Sequence, residues 1–211
     1  MPTHEPVRVP RRRLLRIGGT TIAAAAVLAA CRPTGDDDPG TDERARPSSA
    51  DRELLRTASS LDELALAVYE RASGSGLVTT SDAMNTLELF RRHHREHAEL
   101  FARATADAGG EPFREPNPVV MASLRPALDA ATDEAAVLAL ALDVERLLAE
   151  TYQSFAGAFT DRSFDVATMS VGGTEARHAA VIAPFVGRPA APVAFQPTDL
   201  AIASGTGLSR V

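Results

Sequence analysis

Apolar residues recur at helical spacing from about Ser49 to Gly187, and alternating or β-branched runs are scarce there. That period predicts helices rather than strands. A first helix is expected over about Ala50–Ser73, ending at Ser-Gly-Ser-Gly, and a second begins behind Thr80 or Ser81 as cap and runs to Gly109-Gly110. Glu111–Val120 breaks the pattern, with a short helix expected around Val119–Ala130. A third long helix follows Thr132 as cap and reaches about Phe159, and a fourth spans about Phe164–Val186, with Gly172-Gly173 as a weak point inside it.

Short loops join the first pair and the last pair of long helices, while the middle connection, Gly110–Ala131, is much longer. A helix of about 27 residues is about 40 Å long, and a partly helical stretch of about 22 residues can recross it. Two helical hairpins joined by one long crossover form one kind of four-helix bundle; a plain up-down bundle with a decorated loop is the alternative.

Helical wheels at about 100° per residue place several titratable groups on the apolar stripes. On the second long helix, His94 and His97 share the arc of Leu87, Phe90, Leu100 and Phe101, with His93 at its edge. Glu145 lies among Leu138, Ala141, Leu148, Tyr152 and Phe155, and Glu175 and His178 lie on the stripe of Val171 and Ile182, one turn apart. On the first helix Asp62 falls inside the arc, whereas Glu63 and Glu70 face outward. The two hairpins repeat one pattern: Asp62 precedes Tyr69 as Glu145 precedes Tyr152, and His97-Ala98 matches His178-Ala179, with His94 where the second hairpin has Glu175.

Isolated buried charges cost several kcal/mol each, so six such groups aimed at one core need compensation. Divalent metal ions supply it, because carboxylates and neutral imidazoles are ligands for Fe, Mn or Zn. A metal-free network of His–carboxylate hydrogen bonds would satisfy the same groups. Tyr69 and Tyr152 either bond to these residues or are simply core.

The ends of the chain add a compartment. Arg11–Arg16 reads R-R-R-L-L-R, and an apolar run of about 14 residues follows, short of the roughly 20 needed to span a bilayer. This order describes an export signal over residues 1–30, and the arginine pair resembles the twin-arginine type. Leu28-Ala29-Ala30-Cys31 is similar to a bacterial lipobox, which implies a lipid on Cys31 and an anchor on the outer face of the cell membrane. Residues 31–49, rich in Pro, Gly, Asp and Ser, read as a flexible acidic tether, residues 50–187 as the bundle, and residues 188–211 as an irregular tail. Cys31 is the one cysteine, so no disulfide is available within the chain.

Without residues 1–30 the chain keeps 17 arginines against 27 acidic residues, a formal −10, and it has no lysine. Such acidity argues against binding nucleic acid through phosphates and against a basic membrane patch. No Gly-x-Ser-x-Gly, nucleophilic cysteine or phosphate-cradling glycine loop is present.

The helical pattern together with Glu145, Glu175 and His178 resembles the ferritin-like superfamily, specifically exported bacterial proteins with a ferritin-like domain. That resemblance implies an all-α ferritin-like four-helix bundle. It also implies a site for two iron or manganese ions, held by one Glu from each of two helices and Glu-x-x-His from each of the others. Glu145, Glu175 and His178 match the second half of that motif. The first half departs from it: Asp62 stands for a Glu, and His94-Arg95-Glu96-His97 replaces Glu-x-x-His. The expected set of ligands is thus Asp62, His94, His97, Glu145, Glu175 and His178, for one or two ions of Fe or Mn, with Zn also compatible. Oxidation of iron, or handling of oxygen or peroxide, is the activity the resemblance implies. A metal-free, degenerate bundle serving as a surface binding or scaffold lipoprotein is the alternative.

Overall fold

The computed structural model describes residues 46–208; the expected export signal, Cys31 and most of the expected tether lie outside them. Among the described residues all regular structure is helical: α1 (Ser49–Gly74), α2 (Ser81–Asp107), α3 (Pro118–Ala130), α4 (Glu134–Ser154) and α5 (Arg162–Ile182), continued by one tight turn, Ala183–Val186. None of these helices is long and apolar enough to cross a membrane. α1 packs chiefly on α2 and α4 on α5, and the hairpins meet through α1–α4 and α2–α5, while α3 lies in the crossover.

Local chemistry sets the helix ends. Ser48 and Asp51 form a capping box at α1, with the Ser48 hydroxyl accepting from the Asp51 amide at 3.0 Å and the Asp51 carboxylate accepting from the Ser48 amide at 2.9 Å. Asp133, rather than Thr132, caps α4 by accepting from the Ala136 amide at 2.8 Å. α4 ends at Ser154, short of the expected Phe159, because the chain turns through a left-handed Gly157. Thr80 sits at the α2 cap position but makes no capping bond with its side chain. Glu134 of α4 instead clamps the chain entering α2, accepting from the Thr79 and Thr80 amides at 2.6 and 2.8 Å. Its counterpart is Asp51 of α1, which accepts from the Thr160 and Asp161 amides at the start of α5. The offset that relates Asp62 to Glu145 also relates Asp51 to Glu134, so the first helix of each hairpin clamps the chain that enters the second helix of the other.

The apolar core falls into two clusters. One holds Leu55, Leu61, Phe101, Leu148 and Val171, the other Leu87, Phe90, Leu138, Leu142 and Ile182. Full burial of each such side chain contributes about 1.5–3 kcal/mol. Between them α2 carries His94 and His97, α4 carries Glu145, and α5 carries Glu175 and His178. The titratable residues therefore form a layer inside the bundle rather than a patch at one end.

Gly172 is not a weak point. A Cβ there would lie 2.8 Å from the Tyr152 Cβ, so the missing side chain is what lets α5 approach α4. The chain after the bundle is fastened back onto it: the Leu200 amide donates to Glu150 at 2.8 Å, the Ile202 amide to Thr151 at 3.0 Å and the Gly205 amide to Thr57 at 2.9 Å. These bonds satisfy polar groups on the outer faces of α1 and α4.

Candidate metal centre

Asp62, His94, Glu145 and Glu175 are wholly buried, His178 nearly so, and the His97 side chain is 14% exposed. They come from α1, α2, α4 and α5, and the structure brings all six together. Two overlapping sets emerge, Asp62–His94–His97–Glu175 and His94–Glu145–Glu175–His178, each with ligand atoms within 4.8 Å of one another. Asp62, not Glu63, is the α1 residue in the layer; Glu63 is only partly buried.

His94 lies at the centre. Its Nδ1 is 3.0 Å from Asp62 Oδ1 and its Nε2 is 3.0 Å from Glu145 Oε1. Glu175 divides its oxygens in the same way, with Oε1 2.8 Å from His97 Nδ1 and Oε2 2.9 Å from His178 Nδ1. Those distances suit hydrogen bonds, but the angles do not: both Glu175 oxygens and His97 Nδ1 are buried without a hydrogen-bond partner. Unpaired buried carboxylate oxygens are costly, and donors arranged beside rather than toward one another fit a cation held in common. By this test the residues fit a transition-metal site of nitrogen and oxygen donors.

The tyrosines are more than filler. Tyr152 donates to Asp62 Oδ2 at 2.5 Å and to the Ala58 carbonyl at 3.2 Å, and Tyr69 donates to Glu145. Each tyrosine follows one carboxylate in its own helix but binds the carboxylate of the other hairpin, as antiparallel α1 and α4 require. Burial, then the neighbouring carboxylates, push both phenols well above their usual range, so they remain hydrogen-bond donors. His93, at the edge of the stripe, sits 2.9 Å from His178 Nε2 through its Nδ1. Burial and then the nearby imidazoles lower His93, so it is neutral and accepts the His178 Nε2–H. That bond leaves His178 Nδ1 facing the carboxylates and fixes the ring. Phe90 stacks on the His178 ring at 3.8 Å.

Burial works against charge on the histidines, but the carboxylates outweigh it. Asp62 and Glu175 raise His97 to about 10, and Glu145 with Glu175 raises His94 well above its usual value. Asp62 and Glu145 move down in return, burial opposing and His94 leading the opposite effect in each. Without an ion, these shifts favour protonated His94 and His97 beside ionised Asp62 and Glu145.

Sequence patterns reached the six inward groups and set His93 beside them, but missed which ligand His93 meets, the crossed tyrosine pairing and the clamps by Asp51 and Glu134. The common offset between hairpins was the available signal for the clamps. A family model described as a ferritin-like domain matches residues 50–188. Neither the search of curated proteins nor that of solved structures found a match.

Proposed function

Because the chain belongs to the ferritin-like domain family, we propose that it is a lipid-anchored, extracytoplasmic protein that binds one or two Fe or Mn ions in the bundle and uses them to oxidise iron or to handle oxygen or peroxide. The observation that carries the metal reading is the pair of buried, unpartnered Glu175 oxygens, flanked by His97 and His178. A bound Fe or Mn ion would supply one-electron chemistry toward oxygen species. The residues hold and orient: Asp62, His97 and Glu175 on one side, Glu145, His178 and Glu175 on the other, with His94 between. Tyr152 and Tyr69 fix Asp62 and Glu145, and His93 fixes His178. Around them the two apolar clusters exclude water, leaving His97 and His93, the more exposed members, as the side from which small solutes enter. Export and lipidation rest on the sequence alone, on the arginine-rich start, the short apolar run and Leu28-Ala29-Ala30-Cys31.

The test is metal content by mass spectrometry on protein purified without chelator, with Glu175→Ala as control. Near-stoichiometric Fe or Mn, lost in the control, is the expected result. Zinc alone would keep the site but remove the redox role. No metal after reconstitution, with an equally stable control, would leave the layer as a hydrogen-bonded core and favour a binding or scaffold role. Cys31→Ala should move the protein from the membrane fraction to the soluble one, and no movement would refute the anchor.

A further inference from the structure

The centre divides evenly, and His94 and Glu175 stand on the dividing line. Asp62, His97 Nδ1 and Glu175 Oε1 face His94 Nδ1, while Glu145, His178 Nδ1 and Glu175 Oε2 lie on the side of His94 Nε2. Each half then has two carboxylate and two imidazole donors, and His94 and Glu175 belong to both. The His94 ring is wholly buried and reaches from the α1 carboxylate to the α4 carboxylate, so neither nitrogen is left over for another role.

We propose that His94 is a bridging ligand, with Nδ1 on one metal ion and Nε2 on the other, and that the centre is a histidine-bridged pair of divalent ions. The inference rests on the metal-binding reading above and adds the number of ions and the link between them. Binding through both nitrogens requires the ring to give up both N–H protons, which pass to solvent as the ions enter. The resulting imidazolate carries one negative charge. Together with Asp62, Glu145 and Glu175 it balances two divalent cations, so the loaded layer is neutral. Neutrality matters here because an uncompensated charge in a wholly buried layer costs several kcal/mol. A neutral histidine at position 94 would serve only one ion and leave the other half with three donors. Two imidazole nitrogens for each ion also suit Zn, Cu and Fe better than Mn, which prefers oxygen donors.

Copper(II) is a suitable probe, since it heads the affinity order for nitrogen and oxygen donors and its electron spin reports a bridge. Titration of the metal-free protein with copper(II) should give two ions per chain, and the paramagnetic signal per copper should fall as the second enters. His94→Gln, which offers no second nitrogen, should weaken that coupling to what the Glu175 carboxylate alone can carry. Circular dichroism shows whether the variant folds. Independently of any variant, nitrogen-15 spectra of the zinc-loaded wild type should contain one histidine with both ring nitrogens at metal-bound shifts and no ring N–H. One ion per chain, two uncoupled ions, or zinc-loaded spectra with no histidine bound through both nitrogens would overturn the bridge while leaving metal binding intact. A wild type that takes up no copper or zinc would overturn both readings.

Discussion

Gly172 and Gly173 are neighbours in the same helix, yet the same substitution should act on them with opposite sign. Gly173 is exposed and a Cβ there meets nothing within 4 Å. Gly173→Ala should therefore gain only the helix propensity, about 1 kcal/mol. Gly172→Ala gains the same amount but places its Cβ 2.8 Å from the Tyr152 Cβ. That atom is the stem of a wholly buried side chain, not a mobile tip, so relief requires α4 and α5 to part by about 1 Å. Overpacking of this kind costs about 1–3 kcal/mol. Moving Tyr152 also weakens its bond to Asp62, of a class contributing about 1.5–3 kcal/mol. The net expectation is a loss of about 2–4 kcal/mol. Because propensity is common to both variants, the difference between them isolates the α4–α5 contact. Urea unfolding of metal-free wild type and both variants measures it, with unchanged slopes as the check that the unfolded states are comparable. Gly173→Ala should raise Tm by about 2–4 °C. If Gly172→Ala proved as stable as Gly173→Ala, the close approach at Tyr152 and the reasoning built on it would be wrong.

Other predictions concern the charged layer and the clamps. Tyr152→Phe should destabilise the metal-free protein by about 1.5–3 kcal/mol and weaken metal retention by freeing Asp62, whereas a substitution at an exposed position of α5 such as Ser170→Ala should do neither; equilibrium unfolding and competition with a chelator would show it. Glu134 is held down to about 2 by contacts from Thr80 and then Thr79, so its contribution is present above its usual 4.5 and is lost as pH falls through about 2. Glu134→Gln should accordingly flatten the acid limb of the stability curve followed by circular dichroism, and an unchanged limb would refute the clamp. Although burial opposes it, contact with Asp62 and Glu175 raises His97 from 6.5 to about 10, so its stabilisation of the metal-free protein is full below 6.5 and disappears as pH rises through about 10. Since an incoming ion must displace that proton, zinc affinity measured by calorimetry should climb across the same interval in wild type and climb less in His97→Gln.

The helices, their order in two hairpins and the inward positions of Asp62, His94, His97, Glu145, Glu175 and His178 could be read from the chain because burial imposes a 3.6-residue period on side chains. Periodicity reports a direction from a helix axis and nothing about what lies across the gap. It therefore placed Tyr69 and Tyr152 on apolar stripes but could not pair them crosswise with Glu145 and Asp62, which depends on the antiparallel register of α1 against α4. Nor could it see that Glu134, at the start of α4, clamps the chain entering α2, or that Gly172 is where two helices touch. The tail, without a period of its own, carried no signal at all, because its amides find partners on Glu150, Thr151 and Thr57 only after the bundle has formed. What lay within one helix was determined by the sequence; the contacts between helices, including the split of the site around His94, were decided by packing, since they depend on distances that local spacing does not contain.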